Sequence, residues 1–301
     1  MIPNFFKSAD KDFTLLQGDC VELLRSFDFA FDMIFADPPY FLSNDGFSVH
    51  AGKVVSVNKG DWDRSRGLGE DEAFTRAWLE EARKKLAPSG TIWISGTHHS
   101  IFSVVRILKE LDFKLLNIVT WAKTNPPPNL SCRCFTHSSE FVVWARKSEK
   151  IPHFFNYALL RGLNGGKQMR DVWPLPAAAS WEKRCGKHPT QKPLPLLARM
   201  ILASTRERAW ILDPFAGSAT TGIAANLLNR RFLGIEKDQR FLEIARARKI
   251  EISKISPLSG FSTQARLKRL RRGGGRTVPA SVRGGRGNGS GEGGNAVLRR
   301  S

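Results

Sequence analysis

At 301 residues, with 41% hydrophobic side chains and eight Trp, the chain is one large domain or two small ones with a sizeable core. No apolar run approaches the roughly 20 residues of a membrane span, and the opening MIPNFFKSADKDF lacks a secretory leader pattern. The formal net charge of +19 favours a polyanionic partner. Cys20, Cys132, Cys134 and Cys185 show no CxxC pairing, which argues for free thiols in a reducing cytoplasm and against a bound metal such as zinc.

In chain order, Phe13–Cys20 reads as a short strand ending in a turn, Val21–Phe27 as a helix and Met33–Asp37 as a buried strand. The prolines of Asp37-Pro38-Pro39-Tyr40 cannot continue a central strand, because each lacks a backbone donor and fixes φ. That tetrapeptide therefore sits at a carboxyl edge, where open α/β sheets hold ligands. Residues 41–69 are polar, Gly-spotted and long for a loop, which suits a lid or a DNA-contacting arm. Glu70–Leu86 carries a helical stripe that Pro88-Ser89-Gly90 stops. Thr91–Ser95, Ser100–Leu111 and Leu115–Trp121 then read as strand, helix and strand. The alternation predicts an α/β fold with a doubly wound, mostly parallel sheet.

Residues 123–187 break this rhythm. Lys123–Asn129 holds three successive prolines and is irregular, and Glu140–Arg146 is strand-like. The remainder interleaves Lys147, Lys150, Arg161, Lys167 and Arg170 with His153, Phe154, Phe155, Tyr157 and Trp173, a pattern suited to phosphate contact with base stacking or wedging. Alternation resumes with helix Leu194–Ser204, strand Trp210–Asp213, helix Thr221–Asn229, strand Arg231–Glu236 and a basic helix Arg240–Ile252. Residues 266–301 carry ten Lys and Arg against Glu292 alone, and ten Gly fall between Gly273 and Gly294. So little apolar content predicts a disordered basic tail over 257–301.

Two constellations carry chemistry. Asp37, Pro38, Pro39 and Tyr40 bring a carboxylate, rigid carbonyls and an aromatic ring within four residues. Those groups suit a flat heteroaromatic with an exocyclic amine. Tyr40 can stack on the ring while Asp37 and the Pro38 carbonyl accept the amine hydrogens, turning the nitrogen lone pair out of conjugation. The plainer reading is a tight turn after a strand. In the second constellation, Gly217 lets backbone approach a ligand, and Ser218, Thr220 and nearby N–H groups can bind a small anion. Glu236, 19 residues beyond Gly217, is placed to accept from ribose hydroxyls. The GxGxxG and Walker patterns are absent, leaving a site for a ribose bearing a small anionic group.

Together these motifs resemble S-adenosylmethionine-dependent DNA amino-methyltransferases. Asp37–Tyr40 matches that family's catalytic motif, Asp213-Pro214-Phe215-Ala216-Gly217-Ser218-Ala219-Thr220-Thr221 its cofactor motif, and Ile235-Glu236 its ribose-binding acid. Gly18-Asp19-Cys20 is similar to the element touching the cofactor's adenine. His188-Pro189-Thr190-Gln191-Lys192-Pro193 is similar to the segment holding the methionine end. With the catalytic motif first, the order is that of the β class. FADPPYFLSN, VVSVNKGDWD, TNPPPNLSCR and GKHPTQKP resemble adenine methyltransferases of GATC-type restriction–modification systems over about residues 13–250. One departure is Ala219, where the family usually has Gly.

The resemblance implies a Rossmann-like catalytic domain over residues 1–256, with a target-recognition region at about 123–187. It implies S-adenosylmethionine held by Asp19, Cys20, Thr190, Gln191, Lys192, Asp213, Phe215, Ala216, Gly217, Ser218, Thr220 and Glu236. The implied reaction is N6 methylation of an adenine flipped out of DNA. Duplex DNA is the expected substrate, with single strands as a second form. Dimerisation and functional pairing with a restriction endonuclease are common in the class. N4-cytosine methylation by the same architecture is the alternative reading, although those enzymes more often open the motif with Ser. A non-catalytic basic DNA-binding protein is a third.

Overall fold

The computed structural model describes residues 4–42, 47–50, 53–56, 63–129 and 132–254. The tail expected over 257–301 and part of the 41–69 stretch lie outside them. The elements are β1 (Asn4–Lys7), β2 (Phe13–Gln17), α1 (Cys20–Arg25), β3 (Phe31–Ala36), β4 (Phe47–His50), β5 (Lys53–Ser56), α2 (Leu68–Lys85) and β6 (Leu86–Gly96). There follow α3 (Ile101–Glu110), β7 (Lys114–Lys123), β8 (Ser139–Arg146), α4 (Tyr157–Leu163) and β9 (Val172–Leu175). The chain then forms α5 (Leu194–Ser204), β10 (Trp210–Asp213), α6 (Thr220–Leu227), β11 (Arg231–Glu236) and α7 (Gln239–Lys254).

The nine strands of the main sheet run in the order β1-β2-β11-β10-β3-β6-β8-β7-β9. β2, β11, β10, β3 and β6 are mutually parallel, and β8 enters antiparallel between β6 and β7. β4 and β5 pair as a separate antiparallel hairpin within the 41–69 stretch. The mostly parallel α/β sheet is therefore as expected from the alternation.

Successive side chains of a strand face opposite sides of a sheet, and β3 shows how both sides are covered. Met33 and Phe35 enter the core beneath α5, α6 and α7. Ile34 and Ala36 enter the core beneath α1, α2 and α3. A strand buried on both faces must be apolar throughout, which is why Met33-Ile34-Phe35-Ala36 shows no polar alternation. Each fully buried Phe, Met, Leu or Ile contributes about 1.5–3 kcal/mol of apolar burial.

The α2 helix stops ahead of Pro88-Ser89-Gly90, as expected, but no irregular turn separates it from the next strand. α2 ends at Lys85 and β6 begins at once, carrying that tripeptide at its open end, where the pairing with β3 shifts register. The 123–187 region contains the expected strand over Glu140–Arg146 as β8, and is more regular than its sequence suggests because α4 and β9 also lie within it. The driving force is aromatic. Trp93 of β6 and Trp144 of β8 are directly paired across the strands and stack at 4.6 Å, with Trp173 of β9 at 6.2 Å. β1, which the sequence left unassigned, adds an antiparallel edge beside β2.

Candidate active site

β3 and β10 are adjacent and parallel, so their carboxyl ends lie side by side. From β3 the chain leads on to α2 on one face of the sheet, and from β10 to α6 on the other. The divergence opens a crevice at the switch point. Asp37 follows β3 at one wall and Asp213 ends β10 at the other. A cavity of about 380 Å³ fills this crevice, a size suited to a small organic ligand. Every candidate residue of the two constellations, from Asp19 to Glu236, lines it.

The wall after β10 is built from local contacts. Asp213 accepts hydrogen bonds from the Phe215 N–H at 3.0 Å and the Thr221 hydroxyl at 2.6 Å. Burial pushes its carboxyl up to about 7, against those two bonds. The turn places Gly217 at φ +49°, and a Cβ there would lie 2.9 Å from Nε2 of His188. Only glycine leaves that approach open. Glu236, at the end of β11, accepts from the Gly217 N–H and the Asp238 N–H, each at 2.8 Å. Burial raises its carboxyl above the ordinary range despite those donors.

Ala219 explains the departure noted in the sequence. It caps α6 in the left-handed conformation, φ 54° and ψ 40°, fully buried. A Cβ crowds the following carbonyl there, at roughly 1–2 kcal/mol, which is why glycine is the easier residue.

The hydroxyls of Ser218 and Thr220 are already engaged. Arg248 reaches in from α7 and donates to the Ser218 carbonyl at 2.6 Å, the Ser218 hydroxyl at 3.0 Å and the Thr220 hydroxyl at 2.8 Å. Burial lowers its guanidinium to about 10, so it remains charged at neutral pH. Gln191 accepts from the Ser218 hydroxyl at 3.3 Å and donates to the Glu182 carbonyl at 3.0 Å. Thr190 closes a turn through its N–H, which donates to Nδ1 of His188 at 3.3 Å. Burial depresses that imidazole to about 4, so it stays neutral. Ala216 and Phe215 complete the lining, with Phe215 packed edge-on against Trp78.

At the far end of the cavity Asp19 caps α1, accepting from the Val21 N–H at 2.9 Å and the Glu22 N–H at 3.4 Å. The Gly18 N–H donates to the Glu236 carbonyl at 3.1 Å, tying this element to β11. Cys20 is buried, and burial pushes its thiol up to about 12, far from a thiolate nucleophile.

The corner around Asp37 is assembled from distant segments. One oxygen of Asp37 accepts from the Tyr40 hydroxyl at 2.6 Å, and the other from the Lys192 ammonium at 2.6 Å. The Tyr40 hydroxyl also pairs with Ser95 Oγ at 2.8 Å. Tyr40 is only 7% exposed, and the Lys192 ammonium lies 5.2 Å from its ring centre. Its ring is therefore covered in this form rather than presented as an open platform. Burial, then Asp37 and Glu140, hold its hydroxyl well above its ordinary value, so it stays protonated. Pro38 and Pro39 line the cavity between the two side chains. Lys192, expected at the cofactor's methionine end, does line the cavity, but its shortest bond runs to Asp37.

Sequence reasoning missed several residues here. Asp63 accepts from the N–H groups of Tyr40 and Phe41 at 2.8 and 3.0 Å, fixing the turn where Phe41 adopts φ 57°. Its only signal is its place in GDWD. Ser95, Glu140 and Arg248 carry no local signal, because each meets its partner across the fold.

Comparison with known proteins agrees with this geometry. The family model described as "DNA methylase", for N6 and N4 methyltransferases, matches residues 31–247. Type II methyltransferase M2.MboI of Moraxella bovis is 55% identical over 255 residues, covering 84% of this chain and 93% of that one. M2.DpnII of Streptococcus pneumoniae is 56% identical over 218 residues, covering 72% and 81%. Among solved structures, the M1.HpyAVI–SAM complex aligns with a TM-score of 0.61 at 27% identity, covering 79% of this chain and 98% of that one. The cytosine-N4-specific PvuII DNA methyltransferase aligns with a TM-score of 0.64 at 18% identity, covering 89% and 94%, a likeness of fold alone. With its two constellations in one crevice and these relatives across most of its length, the chain belongs to the N6/N4 DNA methylase family.

Proposed function

We propose that the protein is a site-specific DNA methyltransferase that moves a methyl group from S-adenosylmethionine to the N6 amine of an adenine flipped out of DNA. The observation that carries this reading is the shared crevice. Asp37, suited to an amine, and the Gly217–Glu236 wall, suited to a nucleoside, open onto one cavity.

The residues present fit the cofactor. The bare Gly217 turn leaves room that a Cβ would fill. Glu236 retains an acceptor site for a ribose hydroxyl, since a carboxylate offers about four and the Gly217, Asp238 and Lys237 N–H groups engage three. Asp19, Cys20, Thr190 and Gln191 all line the cavity; the first two are proposed to meet the adenine and the last two the methionine end. When bound, S-adenosylmethionine supplies an electrophilic methyl on a positively charged sulfur.

The chain's own residues do the positioning. Asp37, held at both oxygens, has a free acceptor site left on each for an amine hydrogen. With the Pro38 carbonyl it turns the nitrogen lone pair toward the methyl. As the nitrogen–methyl bond forms, sulfur keeps the electron pair of its broken bond; the nitrogen becomes cationic and strongly acidic and gives up its proton readily, so orientation matters more than a strong base. Flipping the adenine costs a few kcal/mol of unstacking and unpairing; Tyr40 is the residue proposed to recover part of it.

The relatives are type II methyltransferases, and the motif resemblance points to GATC. In that setting methylation protects DNA from an endonuclease cutting the same site, and this pairing belongs to the proposal, as does dimerisation. Residues 1–256 form the catalytic unit, with recognition assigned to about 123–187. No helix among the described residues is long and apolar enough to cross a membrane.

The deciding experiment incubates the protein with methyl-labelled cofactor and duplex or single-stranded oligonucleotides with and without GATC, then digests them to nucleosides. Labelled N6-methyl-2′-deoxyadenosine confined to GATC oligonucleotides is expected. Label in N4-methyl-2′-deoxycytidine, or none in DNA, would overturn the proposal.

A further inference from the structure

The proposed reaction assigns Asp37 and Tyr40 to the amine, but it leaves unexplained why a buried ammonium sits on Asp37. Lys192 is 5% exposed, and its Nζ lies 2.6 Å from Asp37 and 3.6 Å from Glu140. It also makes a long bond to the Thr190 carbonyl at 3.5 Å. Glu140 is held from its other side by Lys123 at 2.6 Å. The four charges thus form a line of alternating sign, Asp37–Lys192–Glu140–Lys123, and they balance.

Balance alone does not require four members. An ammonium taken out of water needs a partner, and Asp37 by itself would suffice for Lys192. The second carboxylate has a different origin. Lys123 ends β7 and Glu140 lies at the start of β8, where Trp121 and Glu140 are paired across the two strands. The 124–138 connection that joins these strands is the proline-rich start of the recognition region. Both of its ends therefore supply a charge to a line that finishes on the catalytic carboxylate. Along this line burial disfavours the Lys192 charge, but Asp37 and Glu140 outweigh it and hold the ammonium above its ordinary range.

We infer that Lys192 is a positioning residue for methyl transfer, holding Asp37 in the orientation that meets the target amine, and that Glu140 holds Lys192 and so ties the recognition connection to the catalytic carboxylate. This rests on the methyl-transfer reading. It differs from the expectation that Lys192 anchors the cofactor, because the two roles separate turnover from cofactor affinity.

The test uses the full chain and begins with wild-type turnover on a GATC duplex; no turnover would sink the reaction itself rather than this inference. Lys192→Met keeps length without charge, and should lower kcat about 100-fold, the scale of a misplaced reacting group. Cofactor affinity, read by calorimetry without DNA, should change less than about threefold, well below what removal of a direct ionic partner gives. In the double variant with Asp37→Asn, the loss should fall far short of the product of the single losses, because both changes break one unit.

Removing Lys192 leaves two buried carboxylates facing each other and can unfold the protein. The near-isosteric Glu140→Gln keeps the inference falsifiable in that case. It should lower kcat about tenfold with cofactor affinity and melting temperature held. A Lys192→Met protein with normal kcat at saturating cofactor but cofactor affinity weakened more than about tenfold would return Lys192 to the cofactor site. A Glu140→Gln protein with unchanged kcat would remove Glu140 from the line.

Discussion

The two strands that meet at the crevice each present an aspartate at the carboxyl end, and the fold treats them in opposite ways. Asp37 faces a buried ammonium 2.6 Å away and the Tyr40 hydroxyl. Asp213 is more deeply buried, 2% exposed, and its two donors are a hydroxyl and a backbone N–H, so burial wins and pushes it up to about 7. One wall pairs its carboxyl group with a buried cation. The other holds a carboxylate short of a positive partner, on the side where a cationic cofactor would lie.

The contrast breaks most sharply at Asp37. Asp37→Ala should lower methyl transfer by about 10²–10⁴-fold, the range for a positioned group acting on the transferred proton or amine. Cofactor affinity should stay near wild type. Near-normal turnover on DNA would show that the amine is met elsewhere.

Asp213 gives the opposite signature, in stability rather than rate. A folded-state value near 7 lies above the ordinary 3.8, so between about pH 4 and 7 the native state binds more protons than the unfolded chain. Stability contributed by this group is thus present at low pH and lost as pH rises through that window. At 1.36 kcal/mol per unit the loss is up to about 4 kcal/mol. Urea unfolding of the cofactor-free protein at several pH values should show it, and Asp213→Asn should flatten the profile. A variant with the wild-type pH dependence would mean that Asp213 finds a cation in solution.

How much of this was legible beforehand follows the same divide. The Asp213 wall is made by residues close in sequence: Thr221 is eight positions from Asp213, and Glu236 nineteen from Gly217. A motif can carry contacts of that kind. The Asp37 corner is made by contacts spanning 155 residues to Lys192 and, through Tyr40, 55 to Ser95. The residue types of the tetrapeptide announced an amine site. Their partners, and the covering of Tyr40, depended on which strands the sheet placed side by side. α4 and β9 within 123–187 were missed for a related reason: Trp144 and Trp173 pack against Trp93 across the sheet, whereas the local sequence is full of prolines and charges.

Smaller effects sharpen the Gly217–Glu236 wall. Glu236→Ala should weaken cofactor binding by about 1.5–3 kcal/mol, the range for hydrogen bonds to a charged group. Calorimetry without DNA measures it, and an unchanged dissociation constant would take Glu236 out of the ribose site. Ala219→Gly relieves the left-handed alanine at some cost in chain entropy, and should stabilise the protein by up to about 1 kcal/mol. Cofactor binding that tightened as well would show the strain reaching the loop.

The smallest effect at physiological salt is expected from deleting residues 257–301, which carry ten Lys and Arg against Glu292 alone. Such charges pair with phosphates but do not read base edges. The slope of log affinity against log salt should flatten by about 0.9 for each phosphate the protein no longer neutralises, while site preference stays put. Methylation of a different sequence by the truncated protein would place specificity in the tail.

The strand order has a consequence for how the enzyme comes into being. β10 and β11, among the last strands made, are inserted between β2 and β3, which are among the first. Until they arrive, two early strands lack the neighbours they keep in the finished sheet. About 200 residues separate the end of β3 from the end of β11, so at translation rates of roughly 5–20 residues per second that gap stays open for about 10–40 s. Long-range pairing of this kind is slow, and an unpaired edge is a template for the wrong partner. The same delay means that a ribosome-bound chain has Asp37 long before it has the wall opposite. A cell therefore cannot obtain methylation from an unfinished copy.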